Sequence, residues 1–307
     1  MALLLIATPS AFFSSGMGSA STVRRPLAVR LSAADVVTAW QPAVLDSLVS
    51  TLGLQEKTYA ADLDFDEFSI AGARGKVRGF EAPGKGNVAW CSALMMSDGD
   101  AVARASITAF VGPLSDVPHL QAAAAVREGG VDLHIDFKPR AECGYTPTGE
   151  YEEPSTREAF SMGGNRKDFG TAFFNEEAVA WRAALLALPG AVETPLAVEE
   201  MTARSAGPLH TCLRLPLTEE AAAAAAAACE AAVRRWLGWM EGSAANGRDL
   251  PAGAKQTAVY ARDTKLRANY YVQELLPTYK SNFGEEGVGL ARADAGPLDE
   301  AYVGGAS

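Results

Sequence analysis

Histidine and cysteine are scarce in this chain, three of one and four of the other among 307 residues. The cysteines (Cys91, Cys143, Cys212 and Cys229) lie far apart with no C-x-x-C pair, which excludes a zinc ribbon and a small disulfide framework. They read as unpaired thiols of a reducing compartment, and three histidines are too few for a His-rich metal centre. No apolar run is long enough for a membrane-spanning helix. Basic residues are outnumbered, 27 Lys and Arg against 37 Asp and Glu. The resulting charge of −10 repels a phosphate backbone and speaks against nucleic-acid binding. G-x-S-x-G and H-E-x-x-H are absent, and Gly287-Val-Gly289 lacks the third glycine of a dinucleotide fingerprint. What remains is an ordinary globular composition, 48% hydrophobic and 21% charged.

The charge is unevenly spread. Up to Ala34 there are three arginines (Arg24, Arg25, Arg30) and no acid. The rest carries 24 basic against 37 acidic residues, or −13. A short apolar run, Ala2–Ala7, precedes Ser-, Gly- and Ala-rich sequence containing the arginines. This suits a short signal core followed by a transit peptide. The Ser10-Ala11-Phe12 junction resembles the bipartite leaders of secondary plastids. Residues 1–34 are therefore expected to be a plastid-targeting leader directing the chain to the chloroplast stroma. A terminal segment without an address is the alternative.

The body, 35–307, reads as one domain. Ala34–Leu54 carries Val37, Trp40, Val44, Leu48 and Leu52 near helical spacing, with Gly53 as a stop. Between Thr58 and Phe137 short alternating runs broken by glycine predict an antiparallel meander, with a turn at Glu128-Gly129-Gly130. Lys138–Gly170, rich in Pro, Gly and charge, reads as a long loop. Helices follow. One spans Asn175–Leu188 with an Asn cap. A second, Thr218–Met240, has a buried stripe of Cys229, Val233, Trp236, Leu237 and Met240. A last one, Tyr260–Phe283, is expected to bend or end at Pro277. A short strand is expected around Cys212–Leu215. Strands followed by helices give the α+β class, a single antiparallel β-sheet sandwiched between helices.

Three motifs invite chemistry. Gly79 to Gly86 approaches a P-loop but lacks its Ser/Thr, and a strand turn fits it better. In Val131–Phe137, Asp132, His134 and Asp136 share one strand face. Two carboxylates beside an imidazole could form a proton-transfer pair, and the same alternation fits a sheet with a solvated outer face. On the last helix, Asp263, Leu266, Arg267, Tyr270 and Glu274 form one stripe. Either Asp263 and Arg267 make a plain surface ion pair, or an acid stands beside an anion-binding arginine.

Taken together, V-A-W-C-S-A-L, V-P-H-L, L-H-I-D-F-K-P-R, A-L-P-G and A-R-D-T-K-L-R resemble the red chlorophyll catabolite reductase family of the ferredoxin-dependent bilin reductase superfamily. The likeness covers most of Lys57–Gly190 and Ala258–Phe283. It implies an antiparallel sheet sandwiched by helices, with an open-chain tetrapyrrole between the sheet and the C-terminal helices. No organic cofactor is bound in that family. Reduced ferredoxin supplies single electrons and side chains supply protons. Asp263 matches the family's C-terminal-helix aspartate, Asp136 its strand acid, and Lys138 and Arg140 the following cations. The family's other acid, on the strand after Pro118, has no counterpart in Leu120–Val126. Asp263, His134 or His119 must then cover proton donation, or the substrate, stereochemistry or activity has changed.

The resemblance also implies aromatic walls and cations for the substrate. Trp90, Phe110, Tyr270 and Tyr271 can supply the walls, and Arg267, Arg166 and Lys167 the cations. An acidic ferredoxin demands a basic patch, for which Lys138, Arg140, Arg157, Arg166, Lys167 and Arg182 are the candidates. Relatives suggest a homodimer. A reductase making a phycobilin and a silent tetrapyrrole binder remain as alternatives.

Overall fold

Period-two alternation builds this fold. The computed structural model describes residues 32–57, 68–70, 72–85, 87–99, 102–112, 115–140, 172–194, 206–245 and 254–298. The expected leader up to residue 31, most of the loop expected at 138–170, and Arg157, Arg166 and Lys167 lie outside them. The first helix, α1 (Ala33–Ala39), is capped by Ser32, whose hydroxyl accepts from the Asp35 amide while the Asp35 carboxylate accepts from the Ser32 amide. Residues 33 and 34, assigned to the leader by charge alone, are thus helical. The single helix expected at the start is two, because Pro42 opens a second one, α2 (Gln41–Leu52), just after Trp40. Gly53, with φ 60°, ends it as expected.

The strands are β1 (Gln55–Lys57), β2 (Phe68–Ile70), β3 (Ala73–Glu81), β4 (Val88–Ser97), β5 (Ala103–Val111), β6 (His119–Arg127), β7 (Gly130–Lys138), β8 (Val192–Glu193) and β9 (Thr211–Pro216). They form one sheet in the order β1-β3-β4-β5-β6-β7-β9-β8, with β2 also pairing β3, and the pairs are antiparallel. Glu128 and Gly129 both have positive φ, 48° and 72°, between the paired Arg127 and Gly130. That backbone suits a two-residue hairpin whose twist matches its strands. The P-loop-like segment is the turn from β3 to β4.

Both faces of the sheet are covered. On one, Leu120, Ala122, Ala124 and Val126 of β6 and Val131, Leu133, Ile135 and Phe137 of β7 meet α1, α2 and α4 (Glu219–Ala245) in one core. Thr218 caps α4 by accepting from the Ala221 amide, and the helix packs against β6 and β7. Of the expected stripe, Cys229, Val233, Trp236 and Met240 are buried and Leu237 is half-buried. The indole of Trp236 donates to the Pro118 carbonyl at 2.8 Å. The shorter α3 (Glu176–Leu186) is capped by Asn175, as its sequence predicts.

The opposite face lies under the C-terminal helices. These are α5 (Ala254–Tyr270), a π-turn (Tyr271–Leu275), α6 (Leu276–Phe283), a 3-10 turn (Gly284–Glu286) and α7 (Gly287–Ala295). The α-helical pattern expected to break near Pro277 does break just before it, in the π-turn. Pro277 falls in the first turn of α6, directly after the π-turn, where a missing N–H does little harm. A second apolar cluster, including Trp90, Leu94, Phe110, Tyr271 and Leu290, joins these helices to the sheet. None of the described helices is long and apolar enough to cross a membrane.

Candidate active site

Strand register lays out the floor beneath the C-terminal helices. Ser92, Thr108, Gln121 and Asp136 stand in one cross-strand row, and Leu94, Ser106, Ala123, His134 and Cys212 in the next. Trp90 pairs with Phe110 and His119 with Lys138 on the other side of the first row. Most of these side chains are polar, yet Gln121, Asp136, His119 and Lys138 are each at most 4% exposed. The face read as either solvated or functional is therefore a buried polar layer.

At its edge, Asp263 of α5 meets two residues that the chain keeps far from it. Its Oδ1 lies 3.2 Å from His119 Nε2, and its Oδ2 accepts from Arg140. Arg140 also donates to the carbonyls of Gly112 and Ser115, so the guanidinium is locked. His119 Nδ1 accepts the Val111 amide at 3.0 Å. That bond leaves the ring proton on Nε2, directed at Asp263. The Asp263 side chain is 10% exposed, against 1% for His119 and 0% for Arg140, so the carboxylate is the open member of the trio. The ring of Phe110 lies 5.3 Å from His119 and 5.7 Å from Tyr270, closing the apolar side.

Asp136 belongs to a separate group. It accepts the Gly207 amide at 2.9 Å and pairs with Lys138 Nζ at 3.3 Å, while Glu274 lies 3.6 Å from the same ammonium. Burial alone would lower the Lys138 pKa, but the two carboxylates outweigh it and hold it above its ordinary value. Glu274 is raised, chiefly by burial. His134 meets neither Asp136 nor Asp263. Its ring packs edge-on against His210 at 5.3 Å, and burial first, then the neighbouring His210, holds its pKa well below the usual histidine value. It is neutral at pH 7.

Three expectations need correction. Lys138 and Arg140 are 1% and 0% exposed and ion-paired inward, so they are not part of a docking surface. Trp90 is no open wall. Its ring lies so close to Gly79 and Gly296 that a Cβ on either would come within 2.4 Å of it, and its Nε1 donates to the Asp294 carbonyl. Arg182, from the same expected patch, is committed to Glu193 and the His210 carbonyl. Tyr270 and Tyr271 do reach the layer as buried side chains of the π-turn region, and Arg267 lies half-buried on α5.

Sequence reading overlooked two contributors. Asp294 of α7 accepts from Ser92 at 2.6 Å and Tyr279 at 3.0 Å, and burial raises its pKa. It lies in a small-residue tail without a motif. Gln121 entered only as the place where an acid is missing.

No protein-family model matches the sequence, and no curated protein does. Among solved structures it is similar to phytochromobilin synthase from tomato, crystallised in complex with biliverdin. Identity is 13% over 86% of this chain and 83% of that one, with a TM-score of 0.60. The two share a fold.

Proposed function

We propose that the chain is an oxidoreductase that reduces an open-chain tetrapyrrole. In the reading favoured by its sequence motifs, the substrate is the red chlorophyll catabolite, in a plastid stroma reached through the leader at 1–34. The single observation that carries this is the carboxylate of Asp263, held by His119 and Arg140 at the border of a buried polar layer. A shared fold with a protein solved around biliverdin supports the ligand class.

Reduction of one double bond consumes two electrons and two protons. Ferredoxin delivers the electrons singly, and the protein's task is to orient the ligand, exclude water and supply protons at fixed points. Asp263 is the donor, and it must take up a proton before each transfer, since His119 and Arg140 otherwise hold it as a carboxylate. His119 cannot relay a proton through its ring, because Nδ1 is occupied by a backbone N–H, so it positions the carboxylate. Arg140 holds the second oxygen and stabilises the anion left after proton transfer. Phe110 and Tyr270 supply apolar surface beside the donor.

A second reading, a silent tetrapyrrole binder, is favoured by the neutral Gln121 on the strand where the resembling family carries an acid. Anaerobic incubation with reduced ferredoxin and red chlorophyll catabolite separates the two. Bleaching of the long-wavelength absorbance supports the reductase. Binding without bleaching supports the silent binder, and turnover of biliverdin alone a bilin reductase.

A further inference from the structure

We infer that Gln121 binds a terminal lactam ring of the ligand, an assignment that rests on the tetrapyrrole reading above. Its side chain is buried, 4% exposed, and neither its Nε2 nor its Oε1 has a hydrogen-bond partner. A buried carboxamide with both ends unsatisfied is costly, and such groups in native proteins call for an explanation. Its row neighbours on β6's two flanking strands offer none. Thr108 lies beside Tyr270, and Asp136 is engaged by Gly207 and Lys138. Next on the same face of β6 come Ala123 and Ala125, which carry only single methyl groups and no polar partner for the carboxamide.

The missing partner must offer a donor and an acceptor side by side in one plane. A pyrrole N–H offers only a donor and a propionate only acceptors, so either would leave half the carboxamide unmatched. A cis-lactam presents N–H and C=O together and closes a two-bond ring with a primary amide. Biliverdin ends in two such rings. Gln121 also follows His119 by two residues on one strand face, so a ring seated there lies one row from Asp263. Being uncharged, Gln121 selects and orients the ring while the proton comes from elsewhere.

The test compares biliverdin with a biliverdin whose terminal lactams are O-methylated, which removes the N–H donors. Affinities are measured by absorbance titration for the wild-type chain, Gln121→Leu and Gln121→Glu. Wild type should prefer biliverdin by about tenfold to a hundredfold, the range of two neutral hydrogen bonds in a buried site. Gln121→Leu should bind both ligands alike, and Gln121→Glu, which has lost its donor, should fall between. Equal affinity of the wild type for both ligands overturns the assignment and leaves the tetrapyrrole reading standing, as does undiminished discrimination in Gln121→Leu. The wild-type comparison needs no variant to fold. Failure of the wild type to bind either ligand overturns both.

Discussion

Asp263 and His119 lie 144 residues apart in the chain and 3.2 Å apart in the fold, joined by a bond whose direction is set by a third group, the Val111 amide. On the proposed function the carboxylate is the acting residue and the imidazole its holder, and the first prediction follows from that reading. Asp263→Asn should lower reductive turnover by about 10²–10⁴-fold, the usual worth of a positioned proton donor, with biliverdin affinity changed only a few-fold. Anaerobic single-turnover absorbance measures both. Full activity in the variant would remove Asp263 from the mechanism.

Arg140 is buried and held by three acceptors, one of them charged. Arg140→Met should destabilise the protein by about 3–5 kcal/mol, since it removes the ion-pair partner of Asp263 and leaves two carbonyls unmet. Urea unfolding at pH 7 tests this. A loss below about 1 kcal/mol would mean that the carboxylate is stabilised by solvent instead.

His134 and His210 both bind protons less tightly in the folded protein than at their ordinary value near 6.5, mainly because burial penalises the charged ring. Unfolding therefore takes up protons below that pH. The stability these rings contribute is present above pH 6.5 and is lost as pH falls, at up to about 2.7 kcal/mol per unit if both titrate. Unfolding free energy should therefore fall as pH drops from 6.5 to 5, and fall less steeply in His134→Gln. An unchanged slope in the variant would refute the assignment.

Trp90 is clamped between Gly79 and Gly296, where a Cβ would approach its ring to 2.2 and 2.4 Å. Gly79→Ala should cost about 1–3 kcal/mol by overpacking. Gly296→Ala should cost more, because Gly296 also has φ 75°. Thermal melts of the two variants give the ranking, and a melting temperature equal to wild type in Gly296→Ala would contradict the clamp.

Much of the fold was legible because it follows local rules. Alternation in Val131–Phe137 separated the two faces of β7, and the buried face is the one that sequence marked as apolar. Asn175, Thr218 and Gly53 marked helix ends through their own side-chain or backbone chemistry. The site was less legible, because its parts meet only through long-range packing. Lys138 read as a surface cation, since charge alone does not reveal that Glu274 arrives from a helix more than a hundred residues later to cover it. His119 is one donor candidate among several in the sequence, and only the Val111 amide sets which ring nitrogen faces Asp263. Pro277 marked a break in the last helix, but not that the break takes the form of a π-turn at Tyr271–Leu275.

The exposed edge of Asp263 has a geometric consequence. Its carboxylate hangs from the helical roof, with His119 and Arg140 closing its other sides. A planar guest lying on the strand floor, as proposed, would meet the acid from the helical side. If Asp263 protonates the guest as proposed, a trigonal carbon there would receive its hydrogen on one prochiral face, and the handedness of the product would follow from which wall carries the aspartate.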